Sequence, residues 1–342
     1  MTFTVSAKLV LAKLVGWTRI PASLIRQKAG NRFVILMYHR VLPPERIEPW
    51  VQAGMYVHPE TFEMHLRYLK EKFRIVSLEE KFSKTNGSAK EKELPECVIT
   101  FDDGWLDFYE FAYPILKRHR VPATVFLPTR YIGTSDWFWT DRLAMLLATE
   151  ISVSEGKGSK SVENVLLLKD ILKIRGPAEK RIEAAISILK GRSMKDIEDI
   201  IRGLETRAGT AVCLGQRAFL NWAEVLEMKD SGLVSFGSHT HNHKVLVHLE
   251  EKEIAEELLV SMKILLQKYA VNPACIPFCY PNGNFNERIA DMVREARYRS
   301  AASTEPGWNT EGECTFRLKR IAIHQDMSAT RGMFECRIAG ML

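Results

Sequence analysis

The chain has 342 residues, 46% of them hydrophobic and 26% charged, which is ordinary globular usage and excludes disordered, collagen-like and disulfide-scaffold classes. Forty-eight Lys and Arg against 42 Asp and Glu leave a formal charge of +6 spread along the length, so no nucleic-acid partner is expected. The six cysteines include no CxxC, and Cys275 and Cys279 read as parts of one strand that holds them too far apart to bridge, so reduced thiols are expected.

Residues 1–27 interrupt their apolar stretch with Lys8, Lys13 and Arg19, unlike a secretory signal, and no run of about 18 uncharged apolar residues could span a bilayer. A cytoplasmic location is the expectation. Residues 5–20 place Val10, Leu14 and Trp17 at helical spacing. The first 30 residues are therefore expected to form a helix that either docks on a domain or lies peripherally on the inner face of the cytoplasmic membrane.

From residue 31 apolar runs alternate with helical periodicity. Residues 33–39 (FVILMYH), 97–101 (CVITF), 123–127 (ATVFL), 234–238, 275–280, 299–303 and 318–324 read as strands, and the charged Lys319 and Arg320 suggest that the last is more exposed. Helices are expected at 60–73, with Phe62, Leu66, Leu69 and Phe73 on one face, and at 250–266, with Ile254, Leu258, Met262 and Leu265. Continuous apolar strands separated by helices predict an α/β fold whose mostly parallel sheet is covered on both faces.

Residues 141–218 break that alternation with helices alone: one over 161–175, one opened by Pro177, and one announced by Ser193-Met-Lys-Asp196 with a stripe of Ile197, Ile200, Ile201 and Leu204. This helical insertion is expected to pack on the main domain or to form a lid over a cleft. The domain plan is an N-terminal helix at 1–30, a main domain at 31–140 and 219–330, the insertion at 141–218 and a C-terminal tail at 331–342.

Three clusters carry chemistry. Asp102 and Asp103 end an apolar strand just before Gly104, at the strand edge where α/β proteins build sites, and adjacent carboxylates pointing in different directions can split metal binding from proton transfer. Ser238-His-Thr-His-Asn-His243 follows another strand, and the separation of His239 from His243 brings two imidazoles to one face while His241 points elsewhere. Two imidazoles and one carboxylate leave a divalent metal with open positions, the pattern of catalytic sites. Finally, Phe278-Cys-Tyr-Pro-Asn-Gly283 ends a strand in a tight turn whose N–H groups could face an oxyanion.

Thr100-Phe-Asp-Asp-Gly104 followed by Ser238-His-Thr-x-x-His243 resembles the paired signature motifs of the polysaccharide deacetylases, the NodB-homology carbohydrate esterases. Leu36-Met-Tyr-His-Arg-Val41, Val121-Pro-Ala-Thr-Val-Phe126 and Tyr280-Pro-x-Gly283 extend the resemblance over much of residues 31–325. It implies a distorted (β/α)7-type barrel, with the helical insertion, that hydrolyses N-acetyl or N-formyl groups on an amino sugar of a polysaccharide or lipid-linked glycan precursor. Asp102 matches the general base, Asp103, His239 and His243 the metal ligands, Thr240 a residue that helps hold the site, and Asn282 the backbone oxyanion donor. Zinc is the first choice of metal, with cobalt, nickel and iron accepting the same ligands. An arginine that opens the family's third motif is Cys279 here, and Arg320 is a candidate to orient Asp102 instead. The usual Leu-x-His acid motif is absent, so His39 is assigned as general acid, as in the branch that deacetylates poly-N-acetylglucosamine, with His324 as competitor. An amidase acting on small cyclic amides and an inactive glycan-binding protein of the same fold are the alternatives.

Overall fold

The computed structural model describes residues 20–82, 94–148, 162–208 and 217–342. The amphipathic segment expected at 5–20 lies, except for Ile20, outside the described residues. Two compact units result: one comprises residues 1–44, 53–134 and 219–342, the other residues 45–52 and 135–218.

The larger unit is built on strands β1 (Arg32–Tyr38), β2 (Arg40–Val41), β3 (Tyr56–Val57), β4 (Arg74–Val76), β5 (Glu96–Phe101), β6 (Ala123–Leu127), β7 (Val234–Ser238), β8 (Pro277–Cys279), β9 (Ser300–Ala302), β10 (Asn309–Thr310) and β11 (Ile321–Ala322). Among the described residues nine of these form one sheet along the path β10-β1-β5-β6-β7-β8-β9, with β4 beside β5 and β11 beside β1. Every pair is parallel except β1 with β10. The segment leading into β11 joins the two ends: Leu318 bridges Ala302 of β9 while Ile321 pairs with Leu36 of β1, which curls the sheet into a distorted barrel. β5 is buried at all six positions and β1 at all but Arg32, which explains their unbroken apolar runs: in a parallel sheet neither face meets water.

Helices cover this sheet with the expected stripes. Pro59–Lys72 starts on a proline, where the missing N–H costs nothing, and buries Phe62, Leu66 and Leu69. Glu251–Gln267 buries Ile254, Leu258 and Leu265, and Glu257 with them. No described helix is long and apolar enough to cross a membrane.

The last residues are not a tail. Arg331–Ala339 is a helix that buries Phe334 and Ile338 one turn apart, capped by Thr330, whose hydroxyl accepts the Met333 N–H at 3.3 Å. The Trp308 indole and the Lys28 ammonium also donate to its Ile338 and Ala339 carbonyls. Sequence patterning is weak here because polar residues separate these few apolar positions.

In the smaller unit four helices, Trp139–Ala148, Val162–Lys173, Ala178–Leu189 and Met194–Ala208, close their apolar faces on one another. Ile197, Ile200, Ile201 and Leu204 are at most 3% exposed in this shared core, so the stripe is spent within the unit. Ser193 caps the last helix, its hydroxyl accepting the Asp196 N–H at 3.2 Å.

Candidate active site

All side chains of the site come from the larger unit, where the parallel strands end. The last ladder bond of the central strand runs from the Asp102 N–H to the Tyr38 carbonyl at 3.0 Å. Asp103 and Gly104 then take φ of +73° and +64°, turning the chain out of the sheet so that the two carboxylates diverge. Gly104 is required there, because a Cβ would lie 2.7 Å from Leu127 Cδ2.

Asp103 Oδ1 lies 3.4 Å from His239 Nε2 and 3.2 Å from His243 Nε2. The two imidazoles converge because Thr240 and His243 adopt φ of +65° and +56°, coiling the loop after β7. Glu257 anchors this loop from below: its carboxylate accepts the His241 and Asn242 N–H groups at 3.0 and 2.7 Å and the Asn242 side-chain amide at 2.7 Å. His241 turns aside to Thr129 Oγ1 at 3.0 Å. Thr240 is fully buried, and its Oγ1 has no hydrogen-bond partner among the described residues.

These residues fit a divalent metal. One ligand atom each from Asp103, His239 and His243 falls within 4.8 Å of the others. The Cys279 carbonyl can only accept, so His239 Nδ1–H donates to it at 2.8 Å and the lone pair sits on Nε2, the atom that faces Asp103. Burial opposes ionisation of Asp103, but hydrogen bonds from His239 and His243 hold its carboxyl well below the usual carboxylate range. Asp102, His239 and Cys279 also satisfy the spacing of a metal site. A guanidinium occupies that second group, which disfavours a cation there.

That guanidinium belongs to Arg320, which is fully buried rather than lying on an exposed strand. Its Nη1 and Nη2 donate to Asp102 Oδ1 and Oδ2 at 2.6 and 2.7 Å, and Nη2 also donates to Cys279 Sγ at 3.0 Å. Its Nε holds the Ser303 carbonyl at 2.8 Å. Burial would raise the Asp102 carboxyl, but the charge and hydrogen bonds of Arg320 outweigh it, and the carboxyl is held below its ordinary value. Sequence position misled because the charge of Arg320 reads as solvent-facing until its partner, 218 residues away, is known.

His39 follows β1 and brings Nε2 to 4.0 Å from Asp102 Oδ2 with its side chain 20% exposed. Burial pulls the imidazole below its ordinary value despite the nearby Asp103 and Asp102. His324 instead caps the short helix Gln325–Ser328 and pairs with Asp326. Asn282 sits in the turn after β8 at φ +56°, with its side chain exposed, and the next residue, Gly283, packs so closely on Thr304 that no Cβ could be accommodated. Two residues of the site carried no recognised signal in the sequence: Glu257, a charge within an apolar helical face, and Trp105, whose Nε1–H donates to Asp103 Oδ2 at 3.1 Å.

The family model for polysaccharide deacetylases matches residues 89–155 and 178–301, more than half of the chain. The chain belongs to the polysaccharide deacetylase family. The Bacillus subtilis protein YxkH, whose name places it among polysaccharide deacetylases, is 21% identical over 307 residues, covering 90% of this chain and 76% of that protein. A poly-beta-1,6-N-acetyl-D-glucosamine N-deacetylase of Staphylococcus aureus is 27% identical over 124 residues, 33% of this chain and 42% of the relative. Among solved structures, the Streptococcus pyogenes deacetylase PplD aligns with a TM-score of 0.55 at 22% identity, covering 87% of this chain and 94% of that one. IcaB from Ammonifex degensii aligns with a TM-score of 0.56 at 18% identity, covering 90% and 97%. These structures share the barrel fold of the deacetylases. In the family pattern Cys279 stands where an arginine is usual, and Arg320 brings a guanidinium to Asp102 from the far end of the sheet.

Proposed function

We propose that this deacetylase removes acetyl groups from N-acetylated amino sugars of a glycan, with Asp102 as general base, His39 as general acid, and Asp103, His239 and His243 as ligands of a divalent metal, zinc by preference. The observation that carries the reading is the division of labour between the adjacent acids. Asp103 is turned to two imidazoles and Asp102 to a buried guanidinium, so one binds a cation and the other stays ionised to take a proton.

A divalent cation in such a site supplies Lewis acidity, stabilising negative charge on the amide oxygen and making a water easier to deprotonate. The protein's part is proton traffic and orientation. Asp102 accepts the proton of the attacking water, while Arg320 holds both carboxylate oxygens so that the base neither rotates nor takes up a proton at neutral pH. The Asn282 N–H, in the turn at the same edge of the barrel, is oriented by the left-handed backbone at that residue to serve the developing oxyanion. His39 then gives its proton to the departing amine; its lowered pKa makes it a more willing donor, although a smaller fraction is protonated at neutral pH. The names of the Staphylococcus aureus relative and of the family support an N-acetylglucosamine polymer as substrate.

The test combines metal content with product release. Purified protein should bind about one divalent ion per chain and release acetate from N-acetylglucosamine oligomers, and Asp103→Ala, His239→Ala and His243→Ala should each lose the ion and the activity. Full metal occupancy in all three variants contradicts the site, and formate release from N-formyl sugars with none from N-acetyl sugars moves the substrate to the formyl class.

A further inference from the structure

We infer that Trp105 is a positioning residue that keeps Asp103 a one-oxygen ligand, so that the bound metal retains an open position for water and substrate. The inference rests on the metal-site reading above and concerns a side chain to which that reading gives no role. The two oxygens of Asp103 are not equivalent: Oδ1 faces His239 and His243, whereas Oδ2 accepts the Trp105 indole N–H at 3.1 Å. A carboxylate free at both oxygens can rotate and chelate through both, which would fill a coordination position that catalysis needs. An N–H fixed on Oδ2 opposes that rotation and aims Oδ1 alone at the metal.

The rest of the neighbourhood holds the indole in place. Trp105 is 1% exposed. Phe219 stacks on it with ring centroids 4.7 Å apart and also bridges its backbone. The Arg40 guanidinium lies 4.3 Å from the ring centroid. Arg40 is itself fixed by Asp107, a buried carboxylate that accepts Arg40 Nε–H at 2.8 Å and the Val41 N–H at 3.0 Å. Both ends of this chain, Asp107 and Asp103, belong to the segment that follows β5, and Arg40 directly follows His39, so the proposed acid and the metal ligand are braced through one indole.

Trp105→Phe keeps a ring for Phe219 and Arg40 but deletes the N–H. Metal-free protein reloaded with zinc against a competing chelator should then show a dissociation constant raised about 10–100-fold. Phe219→Leu, which loosens the ring but spares the N–H, should leave that constant near wild type while lowering thermal stability. An unchanged constant in Trp105→Phe, or an equal loss in Phe219→Leu, overturns the inference in favour of a purely packing role. Asp103→Ala separates the two levels: if it too leaves zinc affinity unchanged, the metal site is wrong, whereas a loss in Asp103→Ala with none in Trp105→Phe refutes only the role of Trp105. If Trp105→Phe does not fold, the wild-type chain still answers. Zinc loading should move one of the seven indole N–H resonances, as its acceptor oxygen becomes fixed, and no movement of any of them overturns the inference.

Discussion

Arg320 offers a quantitative test because its role is electrostatic and fully buried. Replacing it with Met leaves the Asp102 carboxylate buried without a counter-ion and the Ser303 carbonyl without its donor. Removing one partner of a buried ion pair costs about 3–5 kcal/mol, and an orphaned carbonyl about 1–3 kcal/mol, so Arg320→Met should destabilise the protein by roughly 5 kcal/mol near neutral pH. The sign with pH follows from Asp102. In the native protein its pKa is depressed, so its stabilisation is present above the unfolded carboxyl value and lost as pH falls through the lower folded value. In Arg320→Met burial alone acts and raises the folded pKa above the unfolded one. The penalty of the variant should therefore be greatest in mild alkali and shrink as the solution is acidified and Asp102 takes up a proton. The double variant Arg320→Met/Asp102→Asn, with no charge to strand, should recover about 2–3 kcal/mol of the loss. Guanidinium unfolding followed by tryptophan fluorescence at two pH values measures all three. A penalty that is equal at both pH values, together with no recovery in the double variant, refutes the argument that Arg320 acts by neutralising Asp102.

His39→Ala should retain the metal and lower turnover on acetamides by at least about 100-fold, with a much smaller loss on an ester whose leaving group needs less protonation; comparable losses on both substrates would remove His39 from the acid role. His65 is buried against Phe334 and hydrogen-bonded to Tyr38 and the Ser328 carbonyl, and burial pulls its pKa down to about 3. The unfolded chain takes up this proton first, so stability should fall by about 1.4 kcal/mol per pH unit from roughly pH 6.5 downward, a slope that His65→Asn should lack in denaturant titrations across that range. Glu257→Ala strands the N–H groups of His241 and Asn242 and should cost about 2–4 kcal/mol as well as weakening metal binding. A Glu257→Ala protein with wild-type stability and zinc affinity would show that the histidine loop holds itself.

What the sequence displayed was whatever is local. The strands at 33–39, 97–101 and 123–127 stood out because a doubly covered parallel strand needs one unbroken apolar run, and each is found within a residue or so. Strands of two or three residues, such as Arg40–Val41, Arg74–Val76 and Asn309–Thr310, are too short for any periodicity and were invisible. The strand expected at 275–280 shrinks to Pro277–Cys279, because its ends leave the ladder to enter the site turn. At the site, the Asp-Asp-Gly turn and the His-x-x-x-His spacing were legible because neighbouring residues set their geometry. The grip of Arg320 on Asp102 depends on barrel closure between distant segments, and the anchoring of the histidine loop by Glu257 depends on a helix packed across it. Neither leaves a trace in spacing.

The most direct measurement of the central claim is the behaviour of Asp102→Asn, which removes the proposed base while leaving Asp103, His239 and His243 in place. Metal analysis and acetate release from N-acetylglucosamine oligomers should be recorded on the same preparation beside the wild type. The account predicts about one divalent ion per chain in both proteins and a rate lower by about 10²–10⁴ in the variant. A metal-replete Asp102→Asn that releases acetate at the wild-type rate would contradict it.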